Sequence, residues 1–449
     1  MSMCSVGKIE VEDYFNALTE VLNRAIEPGE RYTAWFAAEQ SDFVRINRAR
    51  VRQPGTVIQR SIRIRLIRGA RHASHSLSLT GTVATDRQAI ERAMALLRAA
   101  LPDLTDDPHL LLPETVASTR IVRDAALPPS DAIVDQILAA ADGSDFVGLL
   151  AAGPLYRGFA NSEGQRNWHA ATTFNLQWSL YYRADKAVKS GYAGFEWNST
   201  EFARKMADAR ERLVLISRAP KTLEPGRYRA YLAPRAMEEI AALLGWGGFS
   251  GRALATKQSS LGRMQTGERL DPRVHVAEDI ATGVAPAFQG EGFTRPDRVP
   301  LIESGALVGS LVSPRTSREF GLSTNGANGH EAPEALSIAG GDLPARDALA
   351  ALDTGLAVGN LWYLNYSDRP ACRMTGMTRF ATFWVENGNI VAPVNVLRFD
   401  DTLYRLLGSN LEALTAETEL LLDADTYGER GLRSARLPGA LVSEMSFTL

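Results

Sequence analysis

The run "IRIRLIRG", residues 62 to 69, alternates Ile62, Ile64 and Leu66 with Arg63 and Arg65. Side chains alternate faces along a strand, so this run has one apolar face and one cationic face and needs a core on one side. It belongs to a wider basic stretch: nine arginines (45, 48, 50, 52, 60, 63, 65, 68 and 71) lie between Arg45 and Arg71 with no acid among them. Such a face either binds a polyanion or an acidic peptide, or is a solvated face answered by acids elsewhere in the chain. The interleaved side chains are aliphatic, without the aromatics that stack on bases, which argues against nucleic acid.

Around this run the chain reads as strands framed by helices. Residues 9 to 28 place Val11, Tyr14, Phe15, Leu18, Val21 and Leu22 at helical spacing, stopped by Pro28 and Gly29. The segments "YTAWFAAEQ", "DFVRINRARVRQ" and "VIQRSIRIRLIRG", separated by Ser41, by Pro54 with Gly55, and by Gly69, read as an antiparallel meander. A second helix is expected from an N-capping Thr85 to Pro102, a third at about 129 to 142 and a fourth at about 200 to 213, with strands such as "ATTFNLQWSLYYR" between the last two. Pro220 and the pair Pro225 and Gly226 mark the best boundary. The expected fold is α+β in two domains: residues 1–220, an antiparallel sheet with flanking helices, and residues 221–449, β-rich with tight turns and a few helices.

The 449 residues, 45% hydrophobic, can bury a core in each domain. A net charge of -3 gives no global basic field. Only two cysteines, Cys4 and Cys372, exclude a disulfide framework or a thiolate zinc cluster and fit a reducing compartment. The first fifteen residues meet charge before any apolar run, and no uncharged apolar stretch of about 18 residues occurs, so a cytoplasmic chain without a membrane span is expected.

Six histidines, 72, 75, 109, 169, 275 and 330, form no HExxH or HExxxH. His72 and His75 lie three apart in an alternating segment, where they point to opposite faces. His330 and Glu331 are adjacent in the Asn/Gly loop "STNGANGHE", which reads as a turn-forming loop. Cys372 has no histidine placed beside it by any motif and reads as a neutral buried thiol. No dinucleotide fingerprint, phosphate-binding loop or GxSxG elbow is present. The motifs by themselves specify no enzyme.

The order of segments says more. "FVRINRARVRQPGTVIQRSIRIRLIRGARHASHSLSLTG", "LAPRAMEEIAALLGWGGFSGRALATKQSSLGRMQTGERL", "VPLIESGALVGSLVSPRTSREFGLSTNGAN" and "MTRFATFWVENGNIVAPVNVLRF" together resemble the TldD/PmbA family, once called modulators of DNA gyrase and regarded as metallopeptidases. The resemblance covers roughly residues 30 to 430. In the TldD kind a helix carries HExxxH, and its histidines with a later cysteine hold zinc. Here the corresponding stretch is "PRAMEEIAALLGWGGFSGRA", which resembles the PmbA kind, also called TldE. The resemblance therefore implies no catalytic residue and no cofactor in this chain, zinc in a TldD-like partner, and a dimer, with that partner or with itself, enclosing a cavity where unfolded or leader peptides are cleaved. Glu238, Glu239, His330, Glu331 and Cys372 remain the candidate ligands of a divergent metal site in a stand-alone peptidase. Arg63, Arg65, Arg68, Asn325 and Asn328 are the candidate peptide contacts. A DNA gyrase-associated regulator is the third reading, disfavoured by the acidic pI near 6.2.

Overall fold

The computed structural model describes residues 8–123, 125, 127–183 and 186–448, with side-chain placement from Glu10 onward; Cys4 lies outside them. The N-terminal half runs α1 (Lys8–Ala25), β1 (Glu30–Asn47), β2 (Arg50–Arg68), β3 (Arg71–Ser78), α2 (Val83–Ala100), β4 (Thr119–Arg123), α3 (Ser130–Ala141), β5 (Asp145–Asn161), β6 (Arg166–Arg183), β7 (Lys186–Gly194) and α4 (Ser199–Ile216). Its sheet has the order β3-β2-β1-β5-β6-β4, with β7 also on β6.

The second half begins with β8 (Gly226–Leu232), α5 (Pro234–Leu244), α6 (Gly251–Ala255), β9 (Val276–Asp279), β10 (Arg298–Glu303), β11 (Ala306–Leu307), α7 (Pro314–Phe320) and β12 (Ala335–Ile338). It ends with α8 (Ala348–Leu352), β13 (Gly355–Asp368), β14 (Arg373–Glu386), β15 (Asn389–Pro393), β16 (Arg398–Thr402), β17 (Leu411–Leu422) and β18 (Ser434–Phe447). The second sheet, β11-β10-β9-β12-β18-β16-β14-β13-β8, closes on itself because β8 pairs with both β13 and β18. The chain is α+β, and it changes sheets between Ile216 and Gly226. No described helix is long and apolar enough to cross a membrane.

Pairing register gives the first sheet two distinct faces, because directly paired residues share a face. Ala34, Phe36, Ile62, Ile64, Leu66 and Tyr156 point to α1 and α2, and Val44, Ile46, Phe146, Leu150, Phe174 and Trp178 point to α3 and α4. The opposite face meets the second half. There Trp35 packs edge-on against Phe288, Arg65 pairs with Glu291 at 3.2 Å, and Arg157 pairs with Glu429 at 3.1 Å.

Arg430 anchors that contact. It is 4% exposed and donates to Ser41 Oγ, to the Gly153 and Thr173 carbonyls and to Thr173 Oγ1 at 2.7–3.3 Å, reaching β1, β5 and β6 from the segment between β17 and β18. Gly153 has φ +138°, and a Cβ there would lie 2.1 Å from the Gln40 carbonyl oxygen, so only glycine lets the strands approach.

Two local expectations are corrected. Ser41 and the pair Pro54 and Gly55 break no strand; β1 and β2 are continuous, and the chain reverses at Arg48 and Ala49, both at positive φ (51° and 52°). The proline is tolerated because that part of β2 is a sheet edge: β3 pairs only with Ser61–Arg68. Helix α2 starts before Thr85, with Thr82 at the N-cap position. The buried Asp86 carboxylate accepts the N–H groups of Thr80, Gly81 and Thr82 and so sets the entry to the helix.

Replacing Arg430 by Ala leaves acceptors on three strands unpaired, and the expected loss is about 3 kcal/mol of stability in urea denaturation at neutral pH. Arg430→Lys recovers less than half of it, because one ammonium cannot span the same acceptors. A loss below about 1 kcal/mol for Arg430→Ala would show that the contact between halves does not depend on this residue.

Candidate functional site

Helix α5 follows β8 directly, with Pro234 at its first turn, where a missing N–H costs nothing. Ala236, Met237, Ile240, Ala241, Leu243 and Leu244 are buried in the core of the second sheet, as their spacing predicts. The other side of the helix turns Arg235, Glu238 and Glu239 toward the first sheet.

Those three side chains meet Gln177 of β6 and Lys189 of β7. Arg235 donates to Gln177 Oε1 at 3.1 Å and lies 3.5 Å from Glu238. Gly191 makes room for it: a Cβ there would come within 2.2 Å of Arg235 Nη2. That Nη2 is buried and has no acceptor. Burial pushes the Glu238 carboxyl above the usual carboxylate range, opposed by Arg235, and burial does the same to Glu239, opposed by Lys189. Burial, with Arg235 beside it, pulls the Lys189 ammonium down. The four charges are crowded and imperfectly compensated.

The site continues onto β13 and β14. Arg379 lies 3.9 Å from the Trp362 ring centroid and 5.1 Å from that of Phe380, and Lys189 stands 5.8 Å from the Phe380 ring. Trp362 and Tyr363 are 43% and 75% exposed, large apolar area left open at a charged cleft. Beyond Val358, no described strand pairs with the outer edge of β13.

The remaining candidates are scattered. Glu331 is buried at positive φ, and its carboxylate accepts from Ser250 Oγ at 2.5 Å and from the N–H groups of Arg252 and Ser313 at 2.9 and 2.8 Å, tying together the starts of α6 and α7. Burial raises its pKa, but these hydrogen bonds prevail and hold it below the ordinary value. His330 points to solvent.

Asn325 donates to the Ser310 carbonyl and accepts from Val312 N–H, while Asn328 donates to the Ala332 carbonyl and Glu334; both organise their own loop. Cys372 is buried near Ser260, Tyr366 and Tyr404, and burial pushes its thiol up to about 12. His72 contacts Asp107 at 3.1 Å from β3. Arg65 and Arg68 are held by Glu291 and Glu30, and Arg63 reaches Ser76 Oγ.

Among the described residues no three His, Cys, Asp or Glu side chains converge as a ligand set. Glu238 and Glu239 have cations as neighbours, and those would repel a metal ion. Sequence reading named Glu238 and Glu239 only as candidate metal ligands. It missed Lys189, Arg235, Gln177, Trp362 and Tyr363, whose only signal was Arg235 lying one turn before Glu239 on the same helix.

This arrangement, a polar helix face pressed between a closed β-rich sheet and a second sheet, defines an α+β protein of two sheets. Residues 225–449 match the family described as the PmbA/TldA metallopeptidase C-terminal domain, and the chain belongs to the TldD/PmbA family. Three solved structures share its fold. TldE from Thermococcus kodakarensis is 14% identical with TM-score 0.76, covering 97% of this chain and 100% of that one.

A candidate modulator of DNA gyrase from Thermotoga maritima is 13% identical with TM-score 0.75 over 98% of this chain and 100% of that one. A second, from Bacteroides thetaiotaomicron, is 15% identical with TM-score 0.74 over 99% of each chain. No curated protein matches the sequence.

Because the Glu238 carboxyl is raised above its unfolded value of 4.5, its ionisation opposes folding. The penalty is absent below that value and grows as the pH rises through it. Glu238→Gln is expected to raise stability at pH 8 relative to the parent and to leave it unchanged at pH 4, measured by urea denaturation; lower stability at pH 8 would show that the ionised carboxylate is held by a favourable partner. Cys372 should resist iodoacetamide in the folded protein and react fully in denaturant, followed by mass spectrometry.

Proposed function

We propose that this chain is a non-catalytic, PmbA/TldE-like subunit that pairs with a TldD-like metallopeptidase and helps hold an unfolded or leader peptide for cleavage. The observation that carries the reading is α5. By the sequence resemblance it is the counterpart of the helix that bears HExxxH in the catalytic kind of subunit, yet it carries no histidine and turns Arg235, Glu238 and Glu239 toward Lys189 and Gln177. Two carboxylates facing two cations cannot activate a water on zinc, since they supply neither a ligand set nor an open coordination position.

They can bind a backbone. The unpaired outer edge of β13 accepts an extended peptide as an added strand, giving affinity without sequence preference. Trp362 and Tyr363 add apolar area on which side chains of any kind can rest. The partner supplies the metal and the hydrolysis, and this chain supplies a wall of the enclosed cavity. A cytoplasmic site of action is part of the same proposal.

The test uses the chain purified alone, its metal content measured by elemental analysis, and hydrolysis of unfolded casein assayed before and after a TldD-like subunit is added. Activity only in the mixture is expected. Replacing Trp362 and Tyr363 together by Ala should lower kcat/KM of the mixture about tenfold, mainly through KM. Zinc near one per chain with activity in the chain alone would overturn the reading.

A further inference from the structure

Most of the basic stretch is divided in two by the fold. Its inner members have acids: Arg65 pairs with Glu291, and Arg68 with Glu30 and Glu27. The outer members, Arg45, Arg48, Arg50 and Arg52, project from the far end of the β1–β2 hairpin, are exposed, and form no ion pair among the described residues.

Register then connects this end of the hairpin to α5. Arg45 pairs with Leu149, Leu149 with Gln177, and Gln177 with Gly191, the glycine that accommodates Arg235. One row further out, Arg50 pairs with Asn47, Asn47 with Val147, Val147 with Ser179, and Ser179 with Lys189. Paired residues share a face, so Arg45, Arg50, Lys189 and the Gln177 that holds Arg235 all lie on the face turned toward the second half.

Between them the surface is open: Val147 is 36% exposed and Leu149 half-buried. Asp145, paired with Tyr181 another row out, is an acid on the same face, and Glu238 and Glu239 stand at the α5 end. Neither Arg45 nor Arg50 forms an ion pair with any of them.

From these placements we propose that this face is a subsite for acidic residues of an unfolded peptide, running from α5 across β7, β6 and β5 to Arg45 and Arg50. The proposal rests on the peptide-holding function and adds a substrate preference to it. From β7 to β1 the face spans three strand spacings, roughly 14 Å, which about four extended residues cover. Aspartate or glutamate side chains within that length meet Arg45 and Arg50 at one end and the exposed Lys189 at the other. Glu238 and Glu239 oppose an acid directly above them, so the acidic residues sit toward the hairpin and not over the centre of the helix.

Two fluorescein-labelled, unstructured peptides of equal length test this, one with a cluster of glutamates and one with glutamine at the same positions. Binding to the full chain is followed by anisotropy at low and at high salt. The glutamate peptide is expected to bind about tenfold tighter at low salt, with the difference lost at high salt. Arg45→Gln combined with Arg50→Gln, both exposed positions, should remove the preference while leaving the glutamine peptide's affinity unchanged, with near-UV circular dichroism as the check on folding. Equal binding of both peptides, or a preference that survives the double substitution, overturns the acidic subsite and leaves peptide holding standing. Failure of both peptides to bind overturns the subsite together with the function it rests on.

Discussion

A single buried guanidinium sets how the two halves of this protein meet. Arg430 reaches from the segment between β17 and β18 into the first sheet and is hydrogen-bonded to groups on β1, β5 and β6. A buried cation tolerates little displacement, because each lost acceptor leaves a donor unsatisfied in a medium that cannot replace it. The first sheet is therefore held in one position against the second, and Gln177 and Lys189 come to lie opposite Arg235, Glu238 and Glu239.

Each half buries a group whose charge state pulls stability in an opposite direction. Burial, with Arg123 and Arg157 nearby, pushes His169 down to about 4, so it resists protonation and penalises folding as the pH falls from 6.5 toward that value. Burial pushes Glu278 of β9 up to about 7 even though it accepts N–H groups from Glu334 and Ala335, so ionisation penalises folding as the pH rises from 4.5 toward that value. These two groups leave the fold least strained in the weakly acidic range between them. The charged face of α5 adds to the alkaline penalty through its raised carboxyls.

On the proposed reading, the polar face of α5 serves binding and the chemistry belongs to the partner. Its carboxylates face cations, the Cys372 thiol is deep and protonated, and Glu331, beside His330, is spent on helix starts. What is left open beside it is a strand edge on β13 and two exposed aromatic rings. Each of these suits an extended chain better than a small molecule.

The sequence by itself determined the elements and their faces. The alternation of Ile62, Ile64 and Leu66 with arginines set which side of β2 is core, and the spacing of Met237, Ile240, Leu243 and Leu244 set which side of α5 is buried, because period and polarity are local properties. Residue order also disclosed the family. Only the tertiary structure decided that β1 and β2 run unbroken past Ser41 and Pro54, because edge position, which sequence does not state, is what makes a proline harmless. It also decided which arginines keep an acid and which are left free. Glu291 and Arg65 are 226 positions apart, and a charge's partner is chosen by how the two sheets dock, a long-range outcome that no window of the sequence contains.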